Sequence, residues 1–175
     1  MLKDTPTRYG ALTRLIHWLM AVMIVLQFMK LGDRINDGEH WIGQTIVPLH
    51  GSLGILLLAL IVVRLVWAIR QSSLRPKYEG LQRILAKGGH GLLYLCMILV
   101  PLTGMARPLG AGYGLKMFGC QLVEGDGQKI EWLLAFSQIH APLTWAFVVL
   151  AIGHIGAALF HQFVLKDGTL SRMAG

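Results

Sequence analysis

The sequence predicts an all-α integral membrane protein, a four-transmembrane-helix bundle with both termini cytoplasmic. Three observations predict it. The 175 residues are 54% hydrophobic and only 14% charged, where a soluble domain carries about a quarter charged residues. Four windows, about 15–31, 46–69, 90–106 and 133–163, each hold a mainly apolar run of the roughly 20 residues that a helix needs to cross a hydrocarbon core. The cations are unevenly divided. Lys3, Arg8, Arg14, Arg70, Arg75, Lys77, Arg83, Lys87, Lys166 and Arg172 fall with the N-terminus, the second connection and the C-terminal tail, and with Arg64 at an inner helix end they make eleven of the 16. Lys30, Arg34, Arg107, Lys116 and Lys129 fall on the other side. Positive residues stay inside, so the first side is expected to be cytoplasmic. Six of the nine acids, Asp33, Asp37, Glu39, Glu124, Asp126 and Glu131, lie on the second. The net charge of +7 therefore reads as topology and attraction to anionic headgroups, with no nucleic acid as partner. The windows use most of the chain, so residues 1–175 are expected to form a single membrane domain.

Each element has its own signals. Lys3, Arg8 and Arg14 precede the first window as they would a signal peptide, but "MKLGDRINDGEHW" follows without a small-residue cleavage site; an uncleaved helix is expected. It carries His17 about one turn inside the cytoplasmic edge. His40 lies in the polar connection and reads as solvated or structural. Pro48 opens helix II, as a first turn tolerates, and puts His50 near the outer edge. "QSSLRPKYEGLQRILAKGG" is basic and is expected to end in a short amphipathic helix on the inner surface. Helix III, "GGHGLLYLCMILVPLTGMA", places His90 near the inner edge and Pro101 at an expected kink. The Gly-rich outer connection "RPLGAGYGLKMFGCQLVEGDGQK" is longer than a tight loop requires, which points to function. Helix IV, "SQIHAPLTWAFVVLAIGHIGAALFHQF", holds His140, His154 and His161. Trp18, Trp67, Trp41 and Trp132 fall near helix ends, as an interfacial belt requires. Cys96 is mid-helix and Cys120 in the outer connection, too far apart to pair. No C-x-x-C-H occurs, which excludes covalent haem attachment of that type.

Ionisable side chains at membrane depth mark function. From His140 to His154 is 14 residues, a return to within about 40° of the same helix face and a rise of about 21 Å. His140 is then near the outer edge and His154 near the inner one. His50 shares the outer level; His17 and His90 both share the inner level. Histidines on different helices at two depths are the pattern of two bis-histidine haems stacked across a membrane. Gly51 and Gly54 flank His50, and Gly153 and Gly156 flank His154; bare backbone there suits a porphyrin face, and equally suits close helix packing. Phe147, seven residues from both His140 and His154, reads as a core aromatic between the two levels. His161 falls at or beyond the inner hydrocarbon edge, an interfacial residue with a quinone or propionate environment as its functional alternative. Arg8, Tyr9, Arg14 and Arg107 lie where propionates would emerge, so that cations there would pair with carboxylates, unless they only snorkel.

The segments "RYGALTRLIHW", "LHGSLGILLLALIVVRL", "GHGLLYLCMILVPLTG", "IHAPLTWAFVVLAIGHIGAALFHQF" and "KDGTLSRM" together resemble the bacterial cytochrome b561 family, related to the cytochrome b subunits of nickel hydrogenases. The resemblance spans nearly the whole chain. It implies a four-helix membrane bundle with two non-covalent haem b groups in the bacterial inner membrane. It also implies axial iron ligation by His17 with His154 at the cytoplasmic haem and by His50 with His140 at the outer haem. Members exchange electrons with the quinone pool, and one oxidises superoxide at the outer face. The resemblance therefore implies electron transfer from a periplasmic-side donor to quinone as acceptor, with superoxide:ubiquinone oxidoreductase as one form of the activity. Arg107 and Lys116 are candidate contacts for an anionic donor, opposed by Glu124, Asp126 and Glu131. Arg14, His90 and His161 are candidate propionate or quinone contacts.

Two other classes compete. One is a haem-bearing membrane anchor for a periplasmic redox protein, which would appear as a bound soluble partner. The other is a histidine-lined metal or proton pathway. Such relays usually use carboxylates, and no Asp or Glu lies well inside any span. A visible spectrum separates haem from that pathway.

Overall fold

The computed structural model describes residues 1–35, 39–75 and 80–175. Asp37 and Lys77, counted among the charges above, lie outside the described residues, as do the side chains of Asp33 and Arg34.

Helix α1, Ala11–Ile35, begins over a buried acid. Asp4 Oδ1 accepts hydrogen bonds from Gly10 N–H at 2.8 Å and from the Thr13 hydroxyl at 2.6 Å, and its Oδ2 pairs with Arg75 Nε at 2.9 Å. A carboxylate at a helix N-terminus meets the positive end of the helix dipole. Trp67 Nε1 donates to Thr13 at 2.8 Å, so one buried cluster ties the start of α1 to the end of the next long helix.

That helix is α3, His50–Arg70. It is preceded by the short α2, Trp41–Thr45, and by a 3-10 turn at Val47–Leu49 that holds Pro48, where a missing N–H breaks no helical bond. Ile16, Met20, Met23, Leu57 and Ile61 form the core between α1 and α3.

Helix α4 runs unbroken from Gly80 to Gly110, 31 residues. The separate amphipathic helix expected on the inner surface is instead the first turns of α4. Gly88 and Gly89 each cost about 1 kcal/mol, too little to end a helix favoured on both sides. Pro101 and Pro108 both lie inside α4 without ending it.

The outer connection holds a hairpin that composition did not announce. β1, Leu115–Met117, pairs antiparallel with β2, Cys120–Val123. Phe118 and Gly119 both have positive φ, 48° and 86°, as a two-residue type I′ turn requires. Phe118 N–H donates to Ser52 Oγ on α3 at 2.9 Å, which fastens the hairpin beside the start of α3.

The fourth stretch is not one helix. α5, Glu131–Ser137, stops, and α6, His140–Phe160, starts afresh. Pro142 explains the break: it is disfavoured in a helix interior but fits a first turn. α6 passes into a π-helical segment, His161–Leu165, before α7, Thr169–Ala174.

Four helical stretches, Ala11–Gly32, Trp41–Arg70, Gln82–Gly110 and Glu131–Leu165, are long and apolar enough to cross a membrane. Their outer faces are apolar; Val149, for example, is 68% exposed, as a lipid contact should be. Both termini pack at one end of the bundle, where Tyr9 N–H meets the Arg172 carbonyl at 3.2 Å and Trp18 Nε1 meets the Met173 carbonyl at 3.3 Å. The hairpin marks the other end.

Candidate functional site

α1 packs on α3, α3 on α4, and α4 on α6, whereas neither α1 nor α3 packs extensively against α6 among the described residues. The histidines meet across that division. At the hairpin end, the rings of His50 and His140 have centroids 6.1 Å apart, nearly perpendicular at 89°. At the terminal end, His17 and His154 are 6.3 Å apart and tilted by 41°. All four side chains are half-buried. Two imidazoles gripping one metal ion from opposite sides, each about 2 Å from it, have ring centres about 6 Å apart. Both separations match.

The donor set also discriminates. Among the described residues no group of three or more His, Cys, Asp or Glu converges to hold a metal ion. Paired histidines without further protein ligands would suit iron held otherwise by a porphyrin. His17 Nδ1 and His50 Nδ1 are buried without a hydrogen-bond partner. The flanking glycines fit as well. A Cβ built on Gly51, Gly153 or Gly156 meets nothing within 4 Å, so these positions do not serve tight helix packing. Gly54 differs, with Gln27 Nε2 at 3.2 Å, and Gln27 Nε2 also donates to the His50 carbonyl at 3.0 Å. Phe147 is buried between the two levels, its ring 5.4 Å from that of Phe28.

His90 also reaches the terminal-end site, its ring centroid 5.6 Å from that of His154. It is exposed where His17 is half-buried. His161 is not brought to either pair; its Nδ1 lies 2.5 Å from Asp167 Oδ2. Hydrogen bonds from Thr169 and from His161 hold the Asp167 carboxyl down at about 2. His40 caps α2, accepting from Gly43 N–H at 3.3 Å, a structural task. Arg107 and Lys116 are both exposed at the hairpin end. Arg14 Nε is buried without a partner at the terminal end, as a carboxylate contact would require.

Arg64 was legible in the sequence only as one more cation near a helix end. Its charge acts on His17, His90 and His154 together, and its Nε donates to the Tyr94 hydroxyl at 3.4 Å. The signal was available: an arginine six residues before the helix end is deep for a snorkelling residue.

Comparisons with known proteins show the family. A family model described as prokaryotic cytochrome b561 matches residues 8–175. The chain belongs to that family. Cytochrome b561 homolog 2 of Escherichia coli is 32% identical over 180 aligned positions, covering 98% of this chain and 94% of that protein. The probable superoxide oxidase CybB of Yersinia pestis is 27% identical, covering 95% of each. Cytochrome b562 of Cereibacter sphaeroides is 29% identical, covering 94% of each. As a prokaryotic cytochrome b561, the chain is a bacterial membrane protein that binds haem b and serves electron transfer.

Proposed function

We propose that the protein holds two non-covalent haem b groups and moves electrons between a periplasmic-side donor and the quinone pool of the bacterial inner membrane. The observation that carries this reading is the pair of histidine couples at opposite ends of the bundle, 6.1 and 6.3 Å between ring centres. His50 and His140 would hold one iron, and His17 and His154 the other. Bound haem supplies the one-electron chemistry; the chain supplies ligation, insulation and electrostatics.

Each residue's task follows from its place. The apolar walls of α1, α3, α4 and α6 keep water from the route between the couples. Arg14, whose Nε is buried without a partner, would offer its guanidinium to a propionate. Arg64 places a positive charge beside the terminal-end couple, favouring an electron there. His161, paired with Asp167 beyond the last turn of α6, would be a polar contact for a quinone at that face. The name of the Yersinia relative supports superoxide as donor. The balanced reaction takes two superoxide anions, one quinone and two protons to two dioxygen molecules and one quinol.

Stopped-flow mixing of the purified holoprotein with superoxide, with and without quinone, tests this. Rapid haem reduction followed by quinone-dependent reoxidation is expected. A protein that is never reduced by superoxide but purifies with a soluble redox partner is a membrane anchor instead. A folded but colourless protein ends the haem reading.

A further inference from the structure

Among the described residues, one of the four paired histidines has a ring nitrogen held by a neighbouring helix in a way that fixes its chemistry. His140 Nδ1 lies 2.8 Å from the Val100 carbonyl of α4. A carbonyl only accepts, so Nδ1 carries the proton and Nε2 keeps its lone pair. Thr103 is fully buried at 0% exposure. Its hydroxyl bonds the Leu99 and Val100 carbonyls at 2.9 and 2.8 Å and lies 3.2 Å from His140 Nδ1. A Cβ on Gly104 would stand 2.9 Å from His140 Cε1 and 3.2 Å from Nδ1. The ring therefore lies against bare backbone that no other residue could provide. By contrast His17 Nδ1 and His50 Nδ1 have no hydrogen-bond partner.

We propose that Val100, Thr103 and Gly104 form a positioning cradle on α4 that sets the tautomer and ring plane of His140, and through it the reduction potential of the hairpin-end haem. The inference rests on His140 being an axial ligand, as the proposed function has it. An imidazole that donates its far N–H to a carbonyl is a more basic ligand. A more basic ligand stabilises ferric over ferrous iron. The cradle thus lowers the potential at the hairpin end relative to the terminal end, where Arg64 acts in the opposite sense. Together they make transfer from the hairpin end to the terminal end downhill.

The test is a redox titration of the purified dihaem protein, followed by optical and EPR spectra that resolve the two haems. In Gly104→Ala the added methyl displaces the ring from Val100. The hairpin-end haem is then expected to rise in potential by about a tenfold change in its ferric-to-ferrous balance, about 59 mV for one electron. Its EPR signal should shift while the terminal-end haem stays as it was. Selective loss of the hairpin-end haem supports the cradle equally. If Gly104→Ala loses both haems, Thr103→Val and Thr103→Ser decide. A hairpin-end signal moved by Val and restored by Ser supports the cradle; an unmoved one overturns it. Unchanged potential and EPR signal in Gly104→Ala also overturn it. A wild-type protein without haem sinks the functional reading as well, whereas haem bound through an unmoved His140 sinks this inference alone.

Discussion

Substituting Arg64 by Gln removes a positive charge from beside His17, His90 and His154. Losing a cation favours the more positive, ferric state, so the terminal-end haem should fall in potential. At an effective dielectric of about 20 the change is of order 1 kcal/mol, and a redox titration reads it directly. The ligand assignment has its own test. His50→Ala or His140→Ala should abolish the hairpin-end haem, and His17→Ala or His154→Ala the other, by haem content per polypeptide. His90→Ala and His161→Ala should retain both. Loss of haem in His90→Ala with retention in His17→Ala would reverse the terminal-end pairing. The convergence of histidines at two levels was legible because depth and spacing show in sequence, and the choice of His17 over His90 comes from the family resemblance. The cradle at His140 was not legible, because its main contact is a backbone carbonyl and its clearance is the absence of a side chain on Gly104.

At the scale of elements, hydropathy located all four crossings but not their ends. Run length registers apolar residues and is indifferent to whether a helix continues through polar ones, so the first turns of α4 looked like a separate surface helix. It is equally indifferent to a break inside an apolar run, so the stop before His140, with Pro142 in the first turn that follows, passed unnoticed. The β1–β2 hairpin was hidden because its strands are three and four residues long, too short for alternation to register. Tertiary contacts decide such ends, and two of them give predictions. Asp4→Ala strands Gly10 N–H, Thr13 and Arg75 without their acceptor. Leaving buried polar groups unpaired costs about 1–3 kcal/mol, so the holoprotein in detergent should lose its haem spectrum at lower temperature. The C-terminal turn depends on pH. The Asp167 carboxyl is held near 2 against its ordinary 3.8, so its stabilising bonds are complete above about pH 4 and disappear as pH falls towards 2. NMR of labelled residues in α7 should show release over that window, and Asp167→Asn should abolish the transition, α7 being loose throughout.

For the whole molecule, charge and chemistry make the same demand on orientation. Eleven of 16 cations, Arg64 near a helix end included, accompany the termini and the second connection, which predicts that end to be cytoplasmic and the hairpin to be periplasmic. Superoxide is an anion that hydrocarbon excludes, so a donor made outside must react at the hairpin end, where Arg107 and Lys116 are exposed. Steering by such charges acts on association rate and weakens with salt. Superoxide-driven reduction should therefore slow as ionic strength rises, and slow several-fold further in an Arg107→Gln/Lys116→Gln double variant with an intact haem spectrum. The chain carries its own reporter for the orientation that this requires. Cys120 is exposed on β2, whereas Cys96 is buried within α4 at 6% exposure. A membrane-impermeant maleimide applied to intact spheroplasts should label one thiol per chain, and Cys120→Ser should remove the label. Labelling that appears only after lysis would place the hairpin in the cytoplasm. The His50/His140 couple would then face inward, and external superoxide could not be its donor.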